Sequence, residues 1–288
     1  MSVLMHDAVN LLHGAARAAF DRSDLADIVY ADDTMLLGVS NDYLIKYMQA
    51  VALSGKQYGM KFHCGKFQLL GVQCEPDIRL QDNSQLQVGN SLTYLGIVLT
   101  PDGKNGHELS RRIGLAKADF KSLQQVWKHS SLHWRRKVCI YSSLVETKLL
   151  YSLCTLVLSK AEKKRLDGFQ NKYLRSILKI QPSYMSRISN REVIQQAMHV
   201  PATKLLERRQ LLQLGKVLRC CPDYPLQQSS FIPGTLTSAT SRYVRRVGRP
   251  RKKWIPEVLS MALLLTDGSA HNLHQTVQNV HAWCDKVR

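Results

Sequence analysis

Two adjacent aspartates, Asp32 and Asp33, interrupt an otherwise apolar stretch that reads I-V-Y-A-D-D-T-M-L-L-G-V from Ile28 to Val39. Residues 28–31 and 34–39 are runs of strand length, and a polar pair between two such runs predicts a tight β-hairpin with the carboxylates at its tip. Both faces of the runs are apolar, so the hairpin is expected to be covered by protein on both sides. Carboxylates held at the edge of a core cost free energy unless something compensates them. The residues leave two readings open. In one, Asp supplies ordinary turn chemistry. In the other, the pair holds a divalent metal: Mg²⁺ binds through few carboxylates and keeps several waters, which suits a site that grips a metal–nucleotide.

Charge is unevenly spread around this hairpin. Residues 1–103 contain 7 Lys/Arg and 11 Asp/Glu, net −4, whereas residues 104–288 contain 33 and 11, net +22. A mildly acidic part with a carboxylate hairpin, followed by a very basic part, suggests a site joined to a polyanion-binding surface; charge alone also fits solubility or an acidic protein partner. Seven cysteines without a C-x-x-C pair argue for reduced thiols rather than a disulfide framework. Asp7 lies early and no basic segment precedes an apolar core, so a secretory signal is not expected. The longest apolar run, residues 149–158, is too short to span a membrane. The chain reads as intracellular, in nucleus or cytoplasm.

Taken in order, residues 1–20 predict one helix leading to an acidic connector, 21–27, and then the hairpin. Leu44, Met48, Val51 and Tyr58 mark a helical stripe opened by Asn41 and ending near Gly59. Residues 60–72 read as extended with a turn at Gly65 and Lys66, and 78–100 as short β runs closed by a turn at Pro101-Asp102-Gly103. Beyond that the period changes. Leu109, Ile113, Ala116, Phe120, Leu123 and Trp127 form one helical stripe, with Arg111, Arg112, Lys117 and Lys121 mainly on other faces. Residues 135–159 predict a more apolar, buried helix, and Leu166, Phe169, Tyr173 and Ile177 a third. Ser189 to Glu192 forms a capping box opening a fourth, and Pro201 begins a fifth that runs to about Arg219. Residues 220–240 read as linker, and 242–253 as a basic run without an acid. Trp254 to Leu265 predicts a last helix with a polar, His-rich tail behind it. The basic run holds Arg245, Arg246, Arg249, Arg251, Lys252 and Lys253, and its G-R-P fits either a phosphate-contacting linker, a minor-groove hook or a nuclear import signal. The spacing of His271, His274, His281 and Cys284 puts two pairs roughly 15 Å apart on one helix, too far to share a metal.

Y-A-D-D between apolar strands, followed by T-M-L-L-G, resembles the active-site hairpin of reverse transcriptases. Gly59-Met60-Lys61-Phe62-His63-Cys64-Gly65-Lys66 is similar to the next motif of LINE-type (non-LTR) retrotransposon enzymes, with His63 and Phe67 departing from it. Tyr94-Leu95-Gly96 resembles the primer grip, residues 106–123 the start of the thumb, and Leu206 to Arg219 and Gly248 to Trp254 later segments of the same family. The resemblance implies an α+β chain: a partial polymerase palm of β-hairpins with helices over 1–103, an all-helical thumb over 104–219, a basic linker over 220–253, and a helix and tail over 254–288. It implies RNA-directed DNA polymerase activity by two-metal nucleotidyl transfer, with Mg²⁺ as cofactor and an RNA template, a DNA primer or target and dNTP as partners. By the same resemblance Asp32 and Asp33 are catalytic and hold metal. Tyr30, Lys66, Tyr94 and Gly96 contact nucleotide or primer, and Arg111, Arg112, Lys117 and the basic run contact nucleic acid. In the family a partner carboxylate and the fingers lie upstream, so the chain is expected to begin inside a palm and to be inactive alone. The alternative is a nucleic-acid-binding remnant without chemistry.

Overall fold

The computed structural model describes residues 1–80, 84–104, 106–239 and 252–288. It is mixed α+β and mostly helical, with two small antiparallel sheets. The chain divides into two units, Met1–Lys104 and Asn105–Arg288.

The N-terminal unit opens with two helices, α1 (Ser2–Asn10) and α2 (Gly14–Asp21), where the apolar pattern predicts one. The break falls at Gly14, whose φ of +55° is open to glycine and strained for other residues. The strands β1 (Leu25–Tyr30) and β2 (Asp33–Gly38) follow, and α3 (Asn41–Gln57) packs behind them. The sheet begins three residues earlier than the apolar run indicates and takes Asp27 into β1. Alternation then sorts the side chains. Leu25, Val29 and Leu36 face the helices, while Ile28, Tyr30 and Leu37 lie on the opposite face, 44%, 64% and 44% exposed. The expected cover on both faces is therefore absent among the described residues; the helices of this unit supply one layer only.

The buried face of α3 runs through Tyr47, Ala50, Val51 and Ser54, so of the predicted stripe Val51 is buried and Leu44 packs against the core, whereas Met48 and Tyr58 lie off that face. Specific contacts rotate it. Ser54 Oγ donates to Leu4 O at 2.9 Å, and Tyr47 meets Phe20 edge-on with ring centroids 5.7 Å apart. Burial, with the Asp27 carboxylate beside it, holds the Tyr47 phenol far above its ordinary range. Leu44 and Met48 are left to line a cleft, and Tyr58 is exposed. A second hairpin, β3 (Leu92–Tyr94) and β4 (Ile97–Leu99), turns on Leu95 and Gly96 at φ +48° and +71°. Positive φ at both central residues matches the twist of a two-residue hairpin. The last of the short β runs, from Leu92 to Leu99, is thus a hairpin turning within the Tyr94-Leu95-Gly96 motif. The other short runs make only bridges, such as Arg79 with Gln85.

The C-terminal unit contains α4 (Gly106–Ser122), α5 (Gln124–Lys128), α6 (Trp134–Ile140), α7 (Thr147–Leu150) and α8 (Lys160–Leu178). Next come α9 (Ser183–Ser186), α10 (Asn190–Gln196), α11 (Ala202–Arg219) and α12 (Pro225–Ser230), and then α13 (Trp254–Leu265), α14 (Ala270–Gln278) and α15 (Val280–Val287). The long apolar helix predicted over 135–159 is interrupted. A π-helical turn, Tyr141–Glu146, separates α6 from α7, and Ser152 at φ +64° ends the segment. Ser159, expected inside that helix, instead caps α8 with a complete capping box to Glu162. The Ser189–Glu192 box forms as read, and Pro201 stands one residue outside α11 as its cap.

Two cores fill this unit. The first gathers α4 to α8 and α10 around Leu109, Tyr141, Leu166 and Leu174. The second gathers α13, α14 and α15 around Trp283. Helix α11 belongs to both, with Ala202 and Leu206 in the first and Leu211, Leu214 and Val217 in the second. The region read as linker contributes α12 and a fully buried Phe231. The tail read as polar is two helices whose Leu273, Val277, Trp283 and Val287 are core. Its apolar residues are sparse, which hid them among polar ones, but they recur at helical spacing.

A polar group sits inside the first core. Buried Glu146 accepts from Gln170 Nε2 at 2.9 Å and lies 3.4 Å from His199 Nε2. Burial pushes its carboxyl above the ordinary 4.5, against the opposing pull of His199, Gln170 and Arg209. A raised carboxyl means that the folded state holds the proton more tightly. This contribution to stability is complete below pH 4.5 and fades as pH rises through the folded value. Glu146→Gln, which keeps the shape and removes the charge, is expected to flatten that part of the stability–pH curve and to stabilise near neutrality. Urea melts at a series of pH values check this, and an unchanged pH slope would contradict it.

Candidate functional site

The register from Leu25↔Gly38 to Tyr30↔Asp33 leaves only Ala31 and Asp32 for the turn. Ala31 has φ +53°, a left-handed conformation that lets two residues reverse the chain. Asp32 stands at the apex, and Asp33 is the first residue of β2, across from Tyr30. Both carboxylates are exposed. The carboxylate pair is therefore split between turn and strand rather than shared by the tip.

Beneath the hairpin is a cleft of about 910 Å³ that collects Asp32, Asp33, Lys66 and Tyr94 from stretches widely separated in sequence. Each wall has a local cause. Lys66 closes a 3₁₀ turn, Cys64–Lys66, in which its N–H donates to His63 O at 2.9 Å. Tyr94 lies on β3, and its hydroxyl donates to Ile28 O at 3.0 Å, tying the second hairpin to the first. Burial and then the nearby Asp33 charge push its phenol up. Gln68 Oε1 accepts from Thr93 N at 3.0 Å and holds the extended segment against β3. Tyr30 and Gly96 do not line the cleft: Tyr30 is on the exposed face of the hairpin, and Gly96 is in the β3–β4 turn.

Lys61, His63 and Thr34 line the same cleft without having been singled out as ligands. Lys61 and His63 were within reach of sequence reasoning, since they fall inside the stretch that ends at Lys66. Thr34 was not, because its Oγ1 is buried with no hydrogen-bond partner among the described residues, a property only packing reveals.

The donors suit a hard divalent cation. Both exposed carboxylates line the cleft, and no ion pair among the described residues engages either of them. Among the described residues no group of three or more His, Cys, Asp or Glu could hold an ion. Asp32 and Asp33 would thus leave most of a cation's shell to water or to a nucleotide, as Mg²⁺ tolerates.

The expected nucleic-acid contacts fare unequally. Arg112 is 5% exposed, pairs with buried Glu108 and lies 4.5 Å above the Tyr151 ring, so it is an interior residue and not a surface cation. Helical spacing placed it off the apolar stripe, but Glu108 one turn earlier draws it inward. Arg111 is half-buried, 3.4 Å from the same carboxylate, whereas Lys117 is exposed. Lys252 pairs with Glu257, and Lys253 is the exposed cap of α13. Arg245, Arg246, Arg249 and Arg251 lie outside the described residues. His271, His274 and His281 are exposed on α14 and α15. No helix among the described residues is long and apolar enough to cross a membrane. Compared with protein-family models, with curated proteins and with solved structures, the chain matches none.

Proposed function

We propose that this chain is a palm and thumb portion of a LINE-type reverse transcriptase and that the hairpin cleft is its metal–nucleotide site. The observation that supports this most is the convergence of Asp32, Asp33, Lys66 and Tyr94 on one cleft, since these four were chosen from three separate motifs of the resemblance. Asp32 and Asp33 would hold Mg²⁺, which when bound supplies Lewis-acid stabilisation of a phosphoryl group. Lys66, and Lys61 in the same cleft, would offset the charge of an incoming triphosphate. Tyr94, fixed through Ile28, would set the depth of the cleft beside Asp33. The polymerase assignment of the helical unit, as a thumb on the duplex, rests on the resemblance and on its net charge.

A second reading, nucleic-acid binding without chemistry, is favoured by the net +22 of residues 104–288. Two measurements separate the readings. Calorimetric titration with a dNTP is expected to show binding that requires Mg²⁺ and falls by about tenfold or more in Asp32→Asn. Binding indifferent to both would remove the proposed site. Primer extension on an RNA template then decides about turnover: incorporation supports the polymerase, and salt-dependent binding without incorporation supports the second reading.

A further inference from the structure

A separate cavity of about 610 Å³ opens in the C-terminal unit, between the α5–α6 connection and the end of α8. Its lining is lopsided in chemistry. Lys137, Lys179, His129 and His133 contribute, with the half-buried ring of Trp134, and no Asp or Glu is among the lining residues. Lys137 is 4% exposed. Its ammonium donates to Trp127 O at 2.8 Å and to His129 O at 2.9 Å, capping the last turn of α5. Lysine has three donors, so one remains after these two carbonyls. A buried ammonium compensated only by carbonyl dipoles retains an uncancelled charge, and an anion entering the cavity would meet it. The Trp134 indole lines the same cavity, with the Arg135 guanidinium 5.4 Å above one face and the His133 ring 5.4 Å away.

Two lysines, no carboxylate and a half-buried aromatic in one lining together fit a ligand that is anionic at one end and flat at the other. We infer that this cavity binds a phosphorylated nucleotide, with the base on Trp134 and the phosphate towards Lys137 and Lys179. Stacking on an aromatic tolerates any base, and the phosphate supplies the charge. The same chemistry is presented by a free mononucleotide and by the phosphorylated end of a single strand. The site uses no residue of the Asp32 cleft and needs no metal, so it stands apart from the polymerase reading.

The test is calorimetric titration of the full chain in a chelator, which silences any metal-dependent site. Adenosine 5′-monophosphate is expected to bind about tenfold or more tightly than adenosine and than inorganic phosphate. Trp134→Ala is expected to weaken it by about ten- to hundredfold, and Lys179→Gln to weaken it and lower the salt dependence by about one unit of slope. Lys137→Met removes a helix cap and is judged only if its circular dichroism melt matches the parent, which is why Lys179 and Trp134 carry the test. Equal affinity for nucleoside and nucleotide, or binding unmoved by both variants, would overturn the inference. A 5′-phosphorylated oligonucleotide that binds tighter than the mononucleotide would identify a strand end as the ligand, and the reverse order a free nucleotide.

Discussion

Trp283→Ala is expected to lower the unfolding free energy of the C-terminal unit by about 3–5 kcal/mol, the range for truncating a large buried aromatic. Trp283 is fully buried, and its Nε1 donates to Leu211 O at 3.1 Å on α11. The ring fits there because residue 215 is glycine: a Cβ on Gly215 would stand 2.4 Å from Trp283 Nε1. Two non-additive consequences follow. Gly215→Ala should destabilise the parent by overpacking, and should cost much less when Trp283 is already alanine. Denaturant melts followed by helical circular dichroism measure all three variants. Simple additivity, or a loss below about 1 kcal/mol for Trp283→Ala, would mean that α15 is not a structural part of this core.

The second large effect concerns Glu108, also expected to cost about 3–5 kcal/mol when replaced by alanine. Its buried carboxylate accepts from Arg112 Nε and from Ser152 Oγ at 3.0 Å. Removing it takes the carboxylate counter-charge away from the buried Arg112 guanidinium, and a buried charge without its counter-charge costs far more than a lost pair. The matching double variant, Glu108→Leu with Arg112→Met, is therefore expected to recover most of the loss. Nucleic-acid affinity provides a separate check. If Arg112 is interior, Arg112→Met should leave the salt slope of binding unchanged, whereas Lys117→Gln should reduce it.

What could be read from the residues followed the strength of local signals. The helix of Leu166, Phe169, Tyr173 and Ile177, the Ser189 capping box and the span of α13 were legible because each depends on periodicity or on one short motif. The hairpin was legible as a hairpin, but its cover was not. A two-sided apolar pattern shows that both faces could be buried, whereas the number of layers present is a property of the whole unit. The break near Gly14, the π turn after Ile140 and the reversal at Ser152 came from backbone conformations that apolar spacing does not encode. Arg112 and the C-terminal helices depart from expectation for related reasons: the carboxylate that draws Arg112 inward lies one helical turn away, outside the apolar stripe, and the polar average of the tail conceals four core residues.

At the candidate site, Asp32, Asp33 and Lys66 were visible as residue types in short motifs, and Tyr94 as part of a turn. Their meeting in one cleft was not visible, since it depends on the hydrogen bond from Tyr94 to Ile28 across 66 positions. Thr34 shows the same limit: an oxygen is unclaimed only once every neighbour is placed.

Helix α11 has one further consequence. Because its two halves belong to different cores, neither core can come apart without exposing half of a helix that the other requires. Trp254 Nε1, donating to Cys154 O at 2.7 Å, adds a second cross-link between them. Amides midway along α11, from Gln210 to Leu214, should consequently be the slowest in the unit to exchange with deuterium, opening only when the entire unit unfolds.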